Sequence, residues 1–221
     1  MKNLLFLCLF VILLASCKDS QNKTAPQEKP LREQIEVAYN SSDWETVVAL
    51  TDSVIQSGEP YSDLILAYAK SWRELGRPDK SVQFILGVVD NEDVTTPKEY
   101  LYHELGVCLS SLGKYDEAIS AYHRSYSINA EYVRPLVGLA DAYEHKGDID
   151  KARAYYYIAG ILLFEHNCID ETLSVAARCL EIAPDHHQSW ELMSKYYNMV
   201  HDYEREDSCL QRMKTLKSKK S

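Results

Sequence analysis

The chain lacks an excess of basic charge, a metal-ligand spacing and a strand-like alternation, and each absence removes a class of function or fold. Asp and Glu outnumber Lys and Arg by 33 to 24, for a formal net charge of −9. An acidic surface disfavours nucleic acid and anionic lipid headgroups, so no nucleic-acid partner is expected. The only basic cluster runs from Arg212 to Lys220, and a short lysine-rich end reads as a solvated helix terminus. There is no CxxC, HExxH, glycine-rich phosphate loop or GxSxG elbow. Adjacent histidines such as His186-His187 seldom face one ion, and no convergent carboxylate pair with a base and an orienting partner is legible. The expectation is therefore no catalytic residue, no metal and no cofactor. The alternative is a small metal- or thiol-dependent enzyme built on His166, Cys168, Asp170, Cys179 and His186-His187.

Cysteine usage points the same way. Of six cysteines, Cys8 lies in an apolar leader and Cys17 at its end, leaving Cys108, Cys168, Cys179 and Cys209. On one helix, Cys168 and Cys179 would stand roughly 16 Å apart, beyond disulfide reach. Cys108 and Cys179 read as core thiols, and a bond from Cys168 or Cys179 to Cys209 is left open.

The leader itself is informative. Lys2 supplies a positive start, Leu4 to Leu14 are almost wholly apolar, and the stretch is shorter than the roughly 20 residues that span a bilayer. It ends Leu14-Ala15-Ser16-Cys17, which resembles the lipobox of bacterial lipoproteins. That resemblance implies cleavage after residue 16, acylation (palmitate included) of Cys17, and a membrane held through an N-terminal lipid. Lys18, rather than an aspartate, follows the cysteine, and by the same resemblance favours the outer over the inner membrane. Residues 17–30 have no apolar periodicity and read as a flexible tether with a reach of roughly 20 Å. Residues 31–221 form the folded part, with 46% hydrophobic residues in the chain as a whole to supply a core.

That part reads as amphipathic helices of 12 to 16 residues broken at Gly76-Arg77-Pro78, Gly113-Lys114 and Gly147-Asp148. Tyr102, Leu105, Gly106, Leu109, Ala118, Tyr122 and Ala130 set a frame that returns 34 residues later as Leu136, Leu139, Ala140, Tyr143, Ala152, Tyr156 and Ala159. This spacing resembles the tetratricopeptide repeat (TPR) family, with weaker copies at 62–95 and 187–220 and a degenerate one near 28–61. The resemblance implies an all-α, right-handed solenoid of about five helix hairpins, about eleven helices in all. Residues 153–186 also fit the repeat, so helix 149–165 reads both as a second and as a first helix. The alternation must slip once near 149–186.

By family resemblance, positions 2, 5, 9 and 12 of each repeat line a partner-binding groove. Carried over, these include Lys70, Arg73, Tyr100, His103, Arg134, Asp141, Glu144, Glu191 and Lys195, basic towards the N-terminus and then acidic. The Lys and Asn pair with which some TPR co-chaperones hold a C-terminal carboxylate occurs in none of the repeats. The functional expectation is a membrane-anchored scaffold or adaptor of the bacterial cell envelope, binding another envelope protein or a peptide segment of one. Self-assembly is the further alternative, suggested by Trp190, Tyr196, Tyr197 and Met199 in the last repeat.

Overall fold

A computed structural model describes residues 29–218; the expected leader and most of the tether lie outside those residues. Eleven helices, and no strands, make up the described residues. They are α1 (Leu31–Asn40), α2 (Trp44–Ser57), α3 (Ile65–Glu74), α4 (Pro78–Val88), α5 (Lys98–Ser111), α6 (Tyr115–Ile128), α7 (Arg134–His145), α8 (Ile149–Glu165), α9 (Ile169–Ile182), α10 (His187–Met199) and α11 (Tyr203–Ser218). Among the described residues no helix is long and apolar enough to cross a membrane.

One reversal recurs six times. Ser42, Gly76, Gly113, Gly147, Asn167 and His201 adopt left-handed backbone, with φ between 58° and 78°. The amide that follows each donates to the carbonyl five residues before it, at 2.8–2.9 Å: Asp43 to Ala38, Arg77 to Trp72, Lys114 to Leu109, Asp148 to Tyr143, Cys168 to Leu163 and Asp202 to Tyr197. This closes the orphan carbonyls of one helix and starts the next within two residues. Asp43, Asp148 and Asp202 then cap their helices, each accepting an amide three residues on at 3.2 Å.

The positions of this turn explain the slip. The turn repeats after 34 residues from 42 to 76, from 113 to 147 and from 167 to 201, but after only 20 from 147 to 167. Helix α8 is therefore reversed at both ends by the same device. It is the second helix of the hairpin with α7 and the first of the hairpin with α9, and it packs closely on both. First helices stack as α3 on α5 and α5 on α7; the next such stack is α8 on α10. The two roles read for 149–165 are both correct.

Small residues set how closely these layers approach. Ala118, Ala140, Ala152 and Ala159 are completely buried. A Cβ on Gly106 or Gly138 would come within 2.5 or 2.4 Å of the Tyr122 ring, so that ring fills the hollow left by two consecutive first helices. On Gly160 a Cβ would meet Leu192 at 2.7 Å, which marks the α8–α10 stack. One core runs continuously from Ile65 to Cys179, and Tyr61 joins it to a smaller N-terminal core around Ile35, Val47 and Val54.

Left-handed backbone costs an L-residue about 1–2 kcal/mol relative to glycine. Gly147→Ala should therefore lower the urea midpoint by the equivalent of about 1–2 kcal/mol, whereas Ser42→Gly, at a turn that already carries this strain, should raise it by about 0.5–1 kcal/mol. Equal effects of opposite residues at the two turns would contradict the shared geometry.

Candidate partner-binding groove

The slip separates α7 from α9, and the space between them is a groove of about 780 Å³. Its first wall is α5 with His103, Val107 and Ser110, and its floor is Tyr122, Val137, Gly138 and Asp141. The far wall comes from the end of α8 and from α9: Leu163, His166, Cys168, Glu171 and Val175. Tyr132 and Arg134 close one end, and Tyr115 and His145, stacked at 5.0 Å, stand at the other rim.

The aromatic end is preorganised. Tyr132 meets Tyr100 edge-on at 4.9 Å and His103 at 5.3 Å, and His103 lies 5.8 Å from Tyr122. Burial pushes the Tyr122 and Tyr132 hydroxyls up to about 12, so both rings stay neutral. Burial, with smaller contributions from Arg134 and Arg73, pushes His103 down to about 4. At neutral pH the imidazole is an uncharged part of the wall.

A polar clasp holds the slip together. The Tyr156 hydroxyl, on an almost wholly buried ring, donates to Asp141, and Glu144 Oε2 stands 2.9 Å from the same oxygen. A phenol has one proton, so Glu144 is satisfied separately by Arg178 Nη2, 2.6 Å from Oε1. Arg178 also bonds Glu181 at 2.6 Å. Burial and the two carboxylates raise the Tyr156 hydroxyl far above its ordinary range. Helices α7, α8 and α9 are thus tied at the place where the repeat frame changes. At the groove mouth, His166 Nε2 meets Glu131 at 3.2 Å.

Of the residues expected in the groove, His103, Arg134 and Asp141 line it, and Tyr100 braces its rim. Glu144 faces the clasp instead. Glu191 and Lys195 pair with each other at 3.0 Å beside a smaller hollow of about 250 Å³ between α8 and α10. The expected basic N-terminal section is modified by pairing. Arg73 Nε binds the buried Glu104 at 2.7 Å and its Nη1 binds Glu74 at 2.9 Å, while Lys70 lies over the Tyr39 and Trp44 rings at 5.1 and 5.8 Å. These cations are spent inside the fold.

Sequence reasoning missed the far wall. His166 and Cys168 had drawn notice as candidate ligands, but their place opposite α7 follows from the second reversal at Asn167, a turn without glycine. Asp141 and Glu144 share one face of α7 at i,i+3 and converge on Tyr156. Neither has a base beside it. No group of three or more His, Cys, Asp or Glu suited to a metal ion occurs among the described residues.

The four cysteines are free thiols, so the open disulfide with Cys209 is not formed. Cys179 is fully buried, with Ser189 Oγ at 3.0 Å and His186 Nδ1 at 3.7 Å. Burial raises its thiol, and pushes that of Cys108 up to about 12, the opposite of what a nucleophile needs. The aromatic residues of the last repeat are mostly engaged: Trp190 Nε1 donates to the Pro184 carbonyl at 2.9 Å, Tyr196 is buried, and Tyr197 lies edge-on to it at 5.2 Å.

Stacked helix hairpins around such a groove define a helical-repeat solenoid. Residues 109–156, from the last turn of α5 into α8, match the family model of the tetratricopeptide repeat. Solved structures show the same fold. A crystal structure of MamA covers 84% of this chain and 95% of its own, with 16% identity and a TM-score of 0.51. The C-terminal part of a TPR repeat-containing protein from Cytophaga hutchinsonii covers 85% of this chain and 79% of its own, with 12% identity and a TM-score of 0.52. A tetratricopeptide repeat protein from Parabacteroides merdae covers 84% and 78%, with 13% identity and a TM-score of 0.50. No curated protein sequence matches the chain.

The neutral His103 has a measurable consequence. Its pKa is about 4 in the folded chain and near the ordinary 6.5 when unfolded. The unfolded state therefore binds the extra proton between those values, and folding stability falls as pH drops from 6.5 to 4, by at most about 1.4 kcal/mol per pH unit. His103→Phe should flatten the stability profile in that window. An NMR titration should place the His103 midpoint near 4; a midpoint near 6.5 would refute the buried, neutral imidazole.

Proposed function

We propose that this protein is a lipid-anchored adaptor of a bacterial cell envelope, and that the groove between α5, α7 and α9 holds a peptide segment of another envelope protein. The observation that carries the reading is the groove itself. It is a groove of about 780 Å³ with an apolar floor, and its α5 and α7 walls use positions where, by family resemblance, repeats present side chains to partners. Solenoid repeats host many tasks, so the task is argued from the groove and not from the fold.

The address rests on Leu14-Ala15-Ser16-Cys17, with acylation at Cys17 and Lys18 favouring the outer membrane. An acyl chain and a tether of about a dozen residues would keep the N-terminal end of the solenoid within roughly 20 Å of the membrane surface. The protein acts in this reading by raising the local concentration of its partner there, without chemistry of its own.

Val137→Arg places a charged side chain in the groove floor and should abolish cross-linking to a discrete envelope protein in cells. Leu86→Arg, at an exposed position on α4, should leave it intact. Cys17→Ala should abolish acyl labelling and release the protein from the membrane fraction. Undiminished cross-linking by Val137→Arg would remove the groove from the function, and unchanged membrane retention of Cys17→Ala would remove the anchor.

A further inference from the structure

The groove's charge balance identifies the chemistry of its occupant, an inference that rests on the groove being the binding site. Three carboxylates line it, Glu131, Asp141 and Glu171, against a single guanidinium, Arg134. The carboxylates are incompletely answered. Glu171 is exposed in the first turn of α9 and engages no cation among the described residues. Asp141 receives a neutral phenol rather than a cation, and Glu131 has only the His166 imidazole. The basic residues that would offset them are committed elsewhere: Arg73 to Glu104 and Glu74, Lys70 to the Tyr39 and Trp44 rings, Arg178 to Glu144 and Glu181. Between the carboxylates the floor is apolar, with half-buried Val137 over the buried Tyr122 and Val175.

We propose that the segment bound in this groove is cationic, an extended stretch in which Lys or Arg side chains alternate with apolar ones. The apolar side chains lie on the floor around Val137, and the basic heads reach Asp141 and Glu171. The chain's overall charge of −9 acts in the same direction, drawing a basic segment towards the protein before contact. An acidic segment would bring its carboxylates against Glu171 and Asp141 with only Arg134 to receive them.

The test is fluorescence anisotropy with labelled ten-residue peptides of one apolar frame, carrying Lys/Arg, Gln or Glu at alternate positions, titrated onto the whole protein. The Lys/Arg peptide should bind about tenfold or more tightly than the Gln peptide, and the gap should narrow at about 0.5 M salt. Glu171→Gln should weaken the Lys/Arg peptide several-fold and leave the Gln peptide unchanged, and Val137→Arg should abolish binding of both. Preference for the Glu peptide overturns the cationic assignment, as does indifference to Glu171→Gln while Val137→Arg still blocks; the groove reading survives either result. Failure of every peptide, or binding indifferent to Val137→Arg, overturns the groove reading itself. A peptide of residues 212–221 serves as a fourth probe. If it alone among cationic peptides binds, the occupant is the basic end of a second copy, and the assignment to a separate partner falls.

Discussion

Everything in this chain is organised by one reversal, a left-handed residue followed by an amide that bonds five residues back. The bond satisfies a carbonyl that the helix end would otherwise leave open, so the turn is favoured wherever a helix must double back within two residues. Repeated at intervals of 34 or 37 residues, it generates similar hairpins that stack in one direction. Used twice around α8 at an interval of 20, it makes that helix serve two hairpins and shifts the stacking line from α7 to α8.

The groove is a consequence of that shift. Where first helices stack in register, their small residues close the gap, as Gly106 and Gly138 do around Tyr122. After the slip α9 stands across from α7 without such packing, and the side chains of α5, α7 and α9 face an open channel. The cost of the irregularity is met by polar bonds in place of apolar contact. Tyr156 and Arg178 answer Asp141 and Glu144, and a buried hydroxyl between two carboxylates is stable only because a guanidinium takes the second one. The same arrangement leaves Asp141 accessible from the channel, which joins the structural clasp to the electrostatics of binding.

Several thiols and histidines have structural partners here. Cys108 and Cys179 occupy positions where a repeat needs a small buried side chain, and both bond a neighbouring serine hydroxyl. His103 is a neutral wall residue, and His166 bridges the mouth to Glu131. Burial works against reactivity in the first three, because each charged form would have to leave water.

The sequence by itself determined the repeat, its period and its faces, because small and large apolar residues recur at spacings that only stacked helical hairpins can bury together. Tyr102, Gly106, Ala118 and Tyr122, and their counterparts 34 residues on, carry that information without reference to any distant part of the chain. The double role of α8 was legible too, since Ala152, Tyr156 and Ala159 fit one frame and Tyr156, Ala159, Gly160 and Leu163 the other. Only the tertiary structure decided where the groove lies and which charges it offers. Glycine marked three of the six reversals, while Ser42, Asn167 and His201 take the same backbone without it, so the turn that sets α9 opposite α7 carries a weaker signature than glycine would give. Ion pairing is likewise a property of folded neighbours: Arg73 and Glu104 are 31 residues apart, and Arg178 and Glu144 are 34 apart. A charge's type is written in the chain, but whether it remains available depends on which neighbour folding places beside it.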